Sequence, residues 1–345
     1  MNQVFENINI KIISSCVPRR TVKNEEFGFL LNQKEMNSFE KTVGILERRW
    51  ANDDVTASDL GFMAAQAIFE QEKNLLKNVK ALIFLSQTAD YKIPFTSNIL
   101  QFKLGLATNT LCLDINAGCT GFIQGLSVAY SITNTLRDDE LVLLVVSETL
   151  SKILAPSDRS TTMLFGDAGS AIIIGKSKTT GNSYFNTFSD GGNFESIIIQ
   201  EGGFRNIITE ESFSKDNKVS NLNLSMDGPK VFDFTLREIA PSILKLLSDN
   251  SINIGSIDYF LLHQSNRFII KQIISKLGIE YDKTLINIEK FGNTSGVSIP
   301  LLINTFKDKL ANSKKVMFTG YGSGLNWGNC LTDLSETKIL DVIEY

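Results

Sequence analysis

Histidine is almost absent from this chain: among 345 residues there is one, His263. Any chemistry that needs an imidazole must use it, and a zinc site built on several histidines is excluded. Cysteine is sparse as well. Cys16, Cys112, Cys119 and Cys330 lie far apart and form no Cys-x-x-Cys pair, so neither a disulfide framework nor a cysteine-rich metal site is expected. Long apolar runs are missing too. LVLLVV at 141–146 is among the longest, far short of the roughly 20 residues that span a bilayer. The N-terminal MNQVFENINIKII has no basic region before an apolar stretch, so no secretion signal is expected. Neither sign of charge dominates: 34 basic against 38 acidic side chains give a net charge of −4, without the footprint of a nucleic-acid binder. These absences predict reduced thiols, a cytoplasmic location, no metal, and neither nucleic acid nor membrane as partner.

What is present is a core-forming pattern long enough for two domains or one large one. Nearly continuous apolar runs at 79–86, 110–115, 141–147 and 170–175 predict buried strands. Helical spacing covers 56–71, with Thr56, Ser58 or Asp59 available as N-cap, and 121–136. The second half repeats the plan, with helices at 231–247, 266–278 and 297–310 and strands at 257–264, 284–290 and 315–322. This alternation predicts an α/β fold with both sheet faces covered.

The halves can be superposed as sequences. ALIFLSQ (81–87) falls on YFLLHQS (259–265), and LCLDINAGCTGF on LINIEKFGNTSG. Cys119 and Asn293 then occupy equivalent places, each after a predicted strand, which suggests an internal duplication about a pseudo-two-fold axis. The expected organisation is one half at 1–175 and another at 176–345. Residues 176–230, rich in Gly, Asn, Ser and Lys, read as the connection with surface loops.

Three residues stand out chemically. Cys119, in DINAGCTGFIQGL (114–126), ends a strand–turn–helix step between Gly118 and Gly121. A thiol there meets unpaired N–H groups and the positive end of a helix, which favours a thiolate nucleophile. The other role open to it is that of a small buried hydrophobe, the reading kept for the remaining cysteines. His263 ends the strand at 257–264, where side chains enter a ligand crevice in α/β folds, or it is a satisfied core residue. Asn293, in KFGNTSGVSIP (290–300), is either a turn or cap residue or the partner of Cys119 across the duplication. The glycine-rich GYGSGLNWG (320–328) lacks the Gly-Lys-Ser/Thr ending of a phosphate loop and suits backbone N–H groups aimed at a carbonyl oxygen. FGDAGSA (165–171) reads as a structural turn.

Taken together and in order, DINAGCTGF, FGDAGSA, HQSN (263–266), FGNTSGVSIP and GYGSGLNWG resemble the β-ketoacyl-acyl-carrier-protein synthase III family of thiolase-superfamily condensing enzymes. The resemblance runs from about residue 4 to the C-terminus. It implies a duplicated αβαβα five-layer thiolase-like fold, a homodimer, and decarboxylative condensation of an acyl primer with a malonyl-carrier thioester in fatty-acid or related biosynthesis. Cys119 matches the acyl-accepting nucleophile, and His263 with Asn293 the pair that serves decarboxylation. Asn266 matches a residue near the pantetheine arm, and the N–H groups of Cys119 and Ser323 match an oxyanion hole. Arg159 matches a coenzyme-contacting arginine, and Ile93 the position where the partner subunit closes the acyl pocket. No tightly bound cofactor is implied; acyl-coenzyme A or acyl-carrier protein and malonyl-carrier protein are the substrates.

Four positions depart from the family pattern. Ser38 and Thr42 stand where a tryptophan and an arginine usually hold the coenzyme adenine. Phe268 and Asp233 stand where carrier-contacting arginine and lysine are common. A second function is therefore weighed beside condensation: transfer of the acyl group to an oxygen or nitrogen nucleophile without decarboxylation. A third is a silent partner of an active homologue.

Overall fold

Two β-sheets carry the architecture, and their central strands are too apolar to face water on either side. In the computed structural model, which describes residues 1–213 and 221–345, the first sheet has six strands. Their spatial order is Lys338–Glu344, Ile8–Val17, Ala168–Lys176, Leu141–Glu148, Val79–Leu85 and Leu111–Ile115. The second runs Asn2–Phe5, Ser183–Ser189, Asn326–Thr332, Val316–Gly322 and Tyr259–Leu262. Leu141–Glu148 and Val316–Gly322 are buried at every position, so both faces must be covered.

Helices Gly121–Thr135 and Ser298–Thr305 lie between the sheets. Phe122, Leu126, Leu301 and Leu302 share one core with Ile83 and Leu144 of the first sheet and Phe318 of the second. Helix Ala57–Gln71 covers the outside of the first sheet through Leu60, Ala64 and Ile68. Gly228–Asp249 and Arg267–Leu277 cover the second through Ile239, Ile243, Ile270 and Ile273. The result is the expected α/β fold of five layers, αβαβα.

The duplication is visible in the strand pairing. Val79–Leu85 runs parallel to Leu141–Glu148, which pairs antiparallel with Ala168–Lys176. Tyr259–Leu262 runs parallel to Val316–Gly322, which pairs antiparallel with Asn326–Thr332. The chain ends are exchanged: the first strand, Asn2–Phe5, sits in the second sheet and the last, Lys338–Glu344, in the first.

Several elements differ from expectation. The strand predicted at 284–290 is reduced to a single bridge between Thr284 and Phe260, followed by a helical turn at Ile288–Phe291. The Gln264 side chain accepts the Asn287 N–H at 3.2 Å, replacing a ladder partner. The strand predicted as buried at 110–115 forms as Leu111–Ile115 at the sheet edge, with Leu111 54% exposed. The helix at 297–310 breaks at Phe306 into Ser298–Thr305 and Lys307–Leu310. The helix at 231–247 begins earlier, at Gly228, because the Asp227 carboxylate caps the Lys230 N–H at 3.1 Å. The segment 176–230, of which 214–220 lie outside the described residues, contributes the strand Ser183–Ser189 to the second sheet.

Candidate functional site

The catalytic candidates converge because both halves deliver a chain turn to the same place. Strand Leu111–Ile115 ends, the chain turns at Gly118, and helix Gly121–Thr135 starts just beyond Cys119, with Gly121 N–H bonded to Gly118 O at 2.7 Å. From the other half, the turn Ile288–Phe291 leads through Gly292 (φ 64°) to Asn293. The end of strand Val316–Gly322 closes against Cys119: a Cβ at Gly322 would lie 2.5 Å from the cysteine Cβ. Only glycine allows that approach.

Cys119, His263, Asn293, Asn266 and Ser323 line one cavity of about 170 Å³. Its remaining wall is largely apolar, with Leu150, Leu164, Phe165, Ile197, Leu224 and Met226. Each catalytic candidate is oriented by a specific bond. The Cys119 Sγ lies 3.6 Å from the Ser295 hydroxyl. Asn293 Oδ1 accepts the Ser295 N–H at 2.9 Å, which leaves its NH₂ group as the end available to the cavity. Its own peptide is clamped, with Asn293 N–H donating to Leu164 O at 2.8 Å and Gly166 N–H donating to Asn293 O at 3.0 Å. His263 Nδ1 lies 2.7 Å from the Ser298 hydroxyl, and the ring packs edge-on against Tyr321 at 5.3 Å. The N–H groups of Cys119 and Ser323 make no backbone hydrogen bond among the described residues.

Burial sets the protonation of the site. It pushes the Cys119 thiol up to about 11; the charge of Glu148 acts in the same direction, while the Ser295 hydroxyl and the cysteine's own N–H oppose it. The thiolate expected from the helix terminus is thus not the resting form. Burial lowers His263 to about 3, against a pull upward from the Ser295 backbone, so the imidazole is neutral. Beneath the site, Glu148 is raised to about 7 by burial, although Gln87 N–H and the Thr88 and Ser86 hydroxyls bond to it.

Other expected residues lie away from the cavity. Arg159 is exposed and paired with Glu35 at 3.3 Å. Ile93 is 84% exposed on the surface of its own chain. Ser38 and Thr42 belong to the helix Gln33–Thr42, which also carries Glu35. Phe268 stacks on Phe232, a cavity residue, with centroids 5.8 Å apart. Asp233 pairs with Arg237 at 2.9 Å. Asn266 has a second duty: its side chain caps helix Arg267–Leu277 by accepting the Phe268 N–H at 2.8 Å.

Sequence reasoning missed Ser295, which meets Cys119, Ser298 and Tyr321, which meet His263, and Gln87, which lines the same cavity. Ser295 and Ser298 lie inside the quoted KFGNTSGVSIP motif, yet nothing in their spacing says that one meets the cysteine and the other the histidine. Ser295 has a positive φ of 50°, unusual for a residue with a side chain. Metal ligation has no candidate group of three or more His, Cys, Asp or Glu among the described residues.

Residues 113–191 match a family model described as 3-oxoacyl-[acyl-carrier-protein (ACP)] synthase III, and 247–334 one described as its C terminal. The chain is 35% identical over 327 residues to a beta-ketoacyl-[acyl-carrier-protein] synthase III of Clostridium acetobutylicum, covering 94% of this chain and 98% of that one. A crystal structure of a 3-oxoacyl-(acyl-carrier protein) synthase from Burkholderia xenovorans LB400 superposes with a TM-score of 0.93 at 33% identity, covering 100% and 99%. The priming beta-ketosynthase of the R1128 polyketide biosynthetic pathway superposes at 0.83 with 25% identity, covering 95% and 96%.

Proposed function

The chain belongs to the 3-oxoacyl-[acyl-carrier-protein] synthase III family, and from that premise we propose that it condenses an acyl primer held on Cys119 with a malonyl-carrier thioester, releasing carbon dioxide. The observation that carries this is the convergence of Cys119, His263 and Asn293 on one apolar cavity.

In the first half-reaction the Cys119 sulfur attacks the primer thioester carbonyl and its proton leaves with the departing thiol. The tetrahedral oxyanion is held by the N–H groups of Cys119 and Ser323. In the second, Asn293 NH₂ and the neutral His263 donate to the malonyl thioester carbonyl. Ser298, donating to Nδ1, would leave the His263 proton on Nε2 for that purpose. As carbon dioxide departs, enolate charge develops on the carbonyl oxygen and both donors strengthen, which lowers the barrier. The new carbon–carbon bond forms at the acyl-Cys119 carbonyl as its bond to sulfur breaks, and the leaving thiolate takes a proton from water to restore the thiol. A charged imidazolium would be poorly tolerated in this apolar site, so a histidine fixed as neutral donor suits the step.

The carrier protein is the proposed partner, docking where the Phe232–Phe268 stack meets the cavity. Coenzyme A thioesters are a second donor class. The Arg159–Glu35 pair reduces the net positive charge offered to their phosphates. A homodimer working in the cytoplasm is proposed on the exposed Tyr91, Ile93 and Phe95 and the open edge strand Leu111–Ile115; among the described residues no helix is long and apolar enough to cross a membrane. The halves 1–175 and 176–345 are proposed as the units of the duplication. Intact-protein mass spectrometry with acyl-carrier and acyl-coenzyme A donors, coupled to carbon dioxide release, tests the activity. An adduct on the parent but not on Cys119→Ala, and carbon dioxide matching product, are expected. Condensation by Cys119→Ala would refute the assignment, as would product without carbon dioxide.

A further inference from the structure

Arg48 is 0% exposed, yet no step of the proposed reaction uses it. It sits in the strand Glu47–Arg49, and its hydrogen-bond acceptors among the described residues are three neutral oxygens. Nη1 donates to Val22 O at 3.2 Å, and Nη2 donates to Asn24 Oδ1 at 2.7 Å and to Met163 O at 2.6 Å. The guanidinium carbon lies 5.1 Å from the centre of the Phe27 ring. Behind it, the Asn24 NH₂ group donates to Glu40 Oε1 and to Ile45 O, both at 2.9 Å, so the cation meets that carboxylate only through an amide. Burial draws the Arg48 pKa down to about 10, against the pull of Glu26 and Glu47, and the group remains a cation near neutrality. A buried cation with no carboxylate against it costs stability, and an apolar side chain would fill the same space without that cost.

What this cation holds is the segment that holds Asn293. Met163 O lies one residue before Leu164, whose carbonyl receives the Asn293 N–H, and Phe165 forms an isolated parallel bridge with Asn293. The stem of Arg48 packs on both sides of that bridge: a Cβ at Gly166 or at Gly292 would stand 3.3 or 3.2 Å from Arg48 Cβ. The next two residues add to the same grip. Arg49 O accepts the Asp167 N–H at 2.8 Å, and Trp50 Nε1 donates to Phe165 O at 2.9 Å. We propose that Arg48 is a positioning residue for Asn293: by fixing residues 163–166 it sets where the Asn293 NH₂ group enters the cavity. The planar guanidinium reaches Val22, Asn24 and Met163 at once, which a lysine ammonium does not. Cys119 is carried by a separate turn and helix, so its acylation does not depend on this grip. The inference rests on the reading of Asn293 as a donor to the malonyl thioester carbonyl.

The test separates the two half-reactions in Arg48→Lys and Arg48→Met. Cys119 acylation, timed by intact mass, is expected to stay within about twofold of the parent. Carbon dioxide release from malonyl-pantetheine is expected to fall at least about tenfold, since a misplacement of about 1 Å can cost about a hundredfold. On an Asn293→Ala background the same substitutions should change that release by less than about twofold, because a residue acting through Asn293 has nothing left to position. Equal loss of both half-reactions, or the full loss on the Asn293→Ala background, overturns the proposal. Hydrogen exchange read by mass spectrometry supplies an arm that needs no activity. In Arg48→Lys the Asn293 N–H, bonded to Leu164 O, should exchange at least about tenfold faster while helix Gly121–Thr135 keeps the parent rate. Unchanged exchange at Asn293, or faster exchange in both places, overturns the grip. Should the Arg48 variants fail to fold, Asn24→Ala, which removes the side-chain acceptor, is expected to give the same split, and parent-like rates and exchange in it overturn the proposal. If the parent itself releases no carbon dioxide, the functional reading fails, and the exchange rates still decide whether Arg48 holds Asn293.

Discussion

Cys119 stands between two opposing effects, the N–H groups at the start of a helix and the burial that an apolar primer pocket demands. Burial prevails and holds the thiol at about 11, so the thiolate fraction is small near neutrality. Iodoacetamide labelling of Cys119 should therefore accelerate about tenfold per pH unit from 7 to 9 without a plateau. A plateau near pH 7 would mean that the helix terminus had won. Ser295→Ala removes the hydroxyl at 3.6 Å that opposes burial, so it should slow labelling throughout that range. Glu148 gives the clearest stability signature. Its folded pKa, about 7, is above its ordinary 4.5, so the folded state holds the proton more tightly than the unfolded chain. The stability this contributes is present below pH 4.5 and is lost as pH rises through 7. Glu148→Gln, which cannot ionise, should gain on the parent over that interval in urea melts run from pH 5 to 8. A parallel response of the two proteins would contradict the burial argument. His263 acts with the opposite sign: its folded value of about 3 lies below the ordinary 6.5, so its contribution is lost as pH falls from 6.5 towards 3.

Single elements act here as positioning devices. Asn293 is held by a loop pinned to Leu164 and Gly166, which draws the apparently structural FGDAGSA turn into support of the site. Gly292 is the hinge of that loop. Its φ of 64° suits glycine, and a Cβ there would lie 2.7 Å from Leu164 O. Gly292→Ala should destabilise the protein by about 1–3 kcal/mol and lower kcat more than it raises KM, because it displaces Asn293. Denaturant melts and steady-state kinetics check both. Helix Arg267–Leu277 makes the complementary case. Asn266→Ala removes its cap, so a loss of about 1 kcal/mol is expected together with a higher KM for the carrier substrate. Loss of stability with KM unchanged would confine Asn266 to capping.

At the scale of the molecule, a chain that exposes Ile93 at 84% and leaves Leu111–Ile115 as an open edge carries surface that another copy can cover. Sedimentation equilibrium should give a particle of two 38.3 kDa chains; a single chain at micromolar concentration would count against the dimer. The sequence by itself determined the α/β class and the duplication, and it singled out Cys119, His263 and Asn293 as the candidates for chemistry. Continuous apolar strands, helical spacing and a solitary histidine are local or compositional facts that need no coordinates. It could not determine that TLINIEK leaves the ladder after one bridge, because the competing partner, Gln264, is distant in sequence. Nor could it place Leu111–Ile115 at an edge, since strand order is a property of the whole sheet. The tertiary structure alone decided the protonation of Cys119, the pairing of Ser295 with Cys119 and of Ser298 with His263, and the bond from Gln87 to Ser323. Each depends on burial or on contacts between residues 35 to 236 positions apart, and such distances are fixed only when the two halves close on one another.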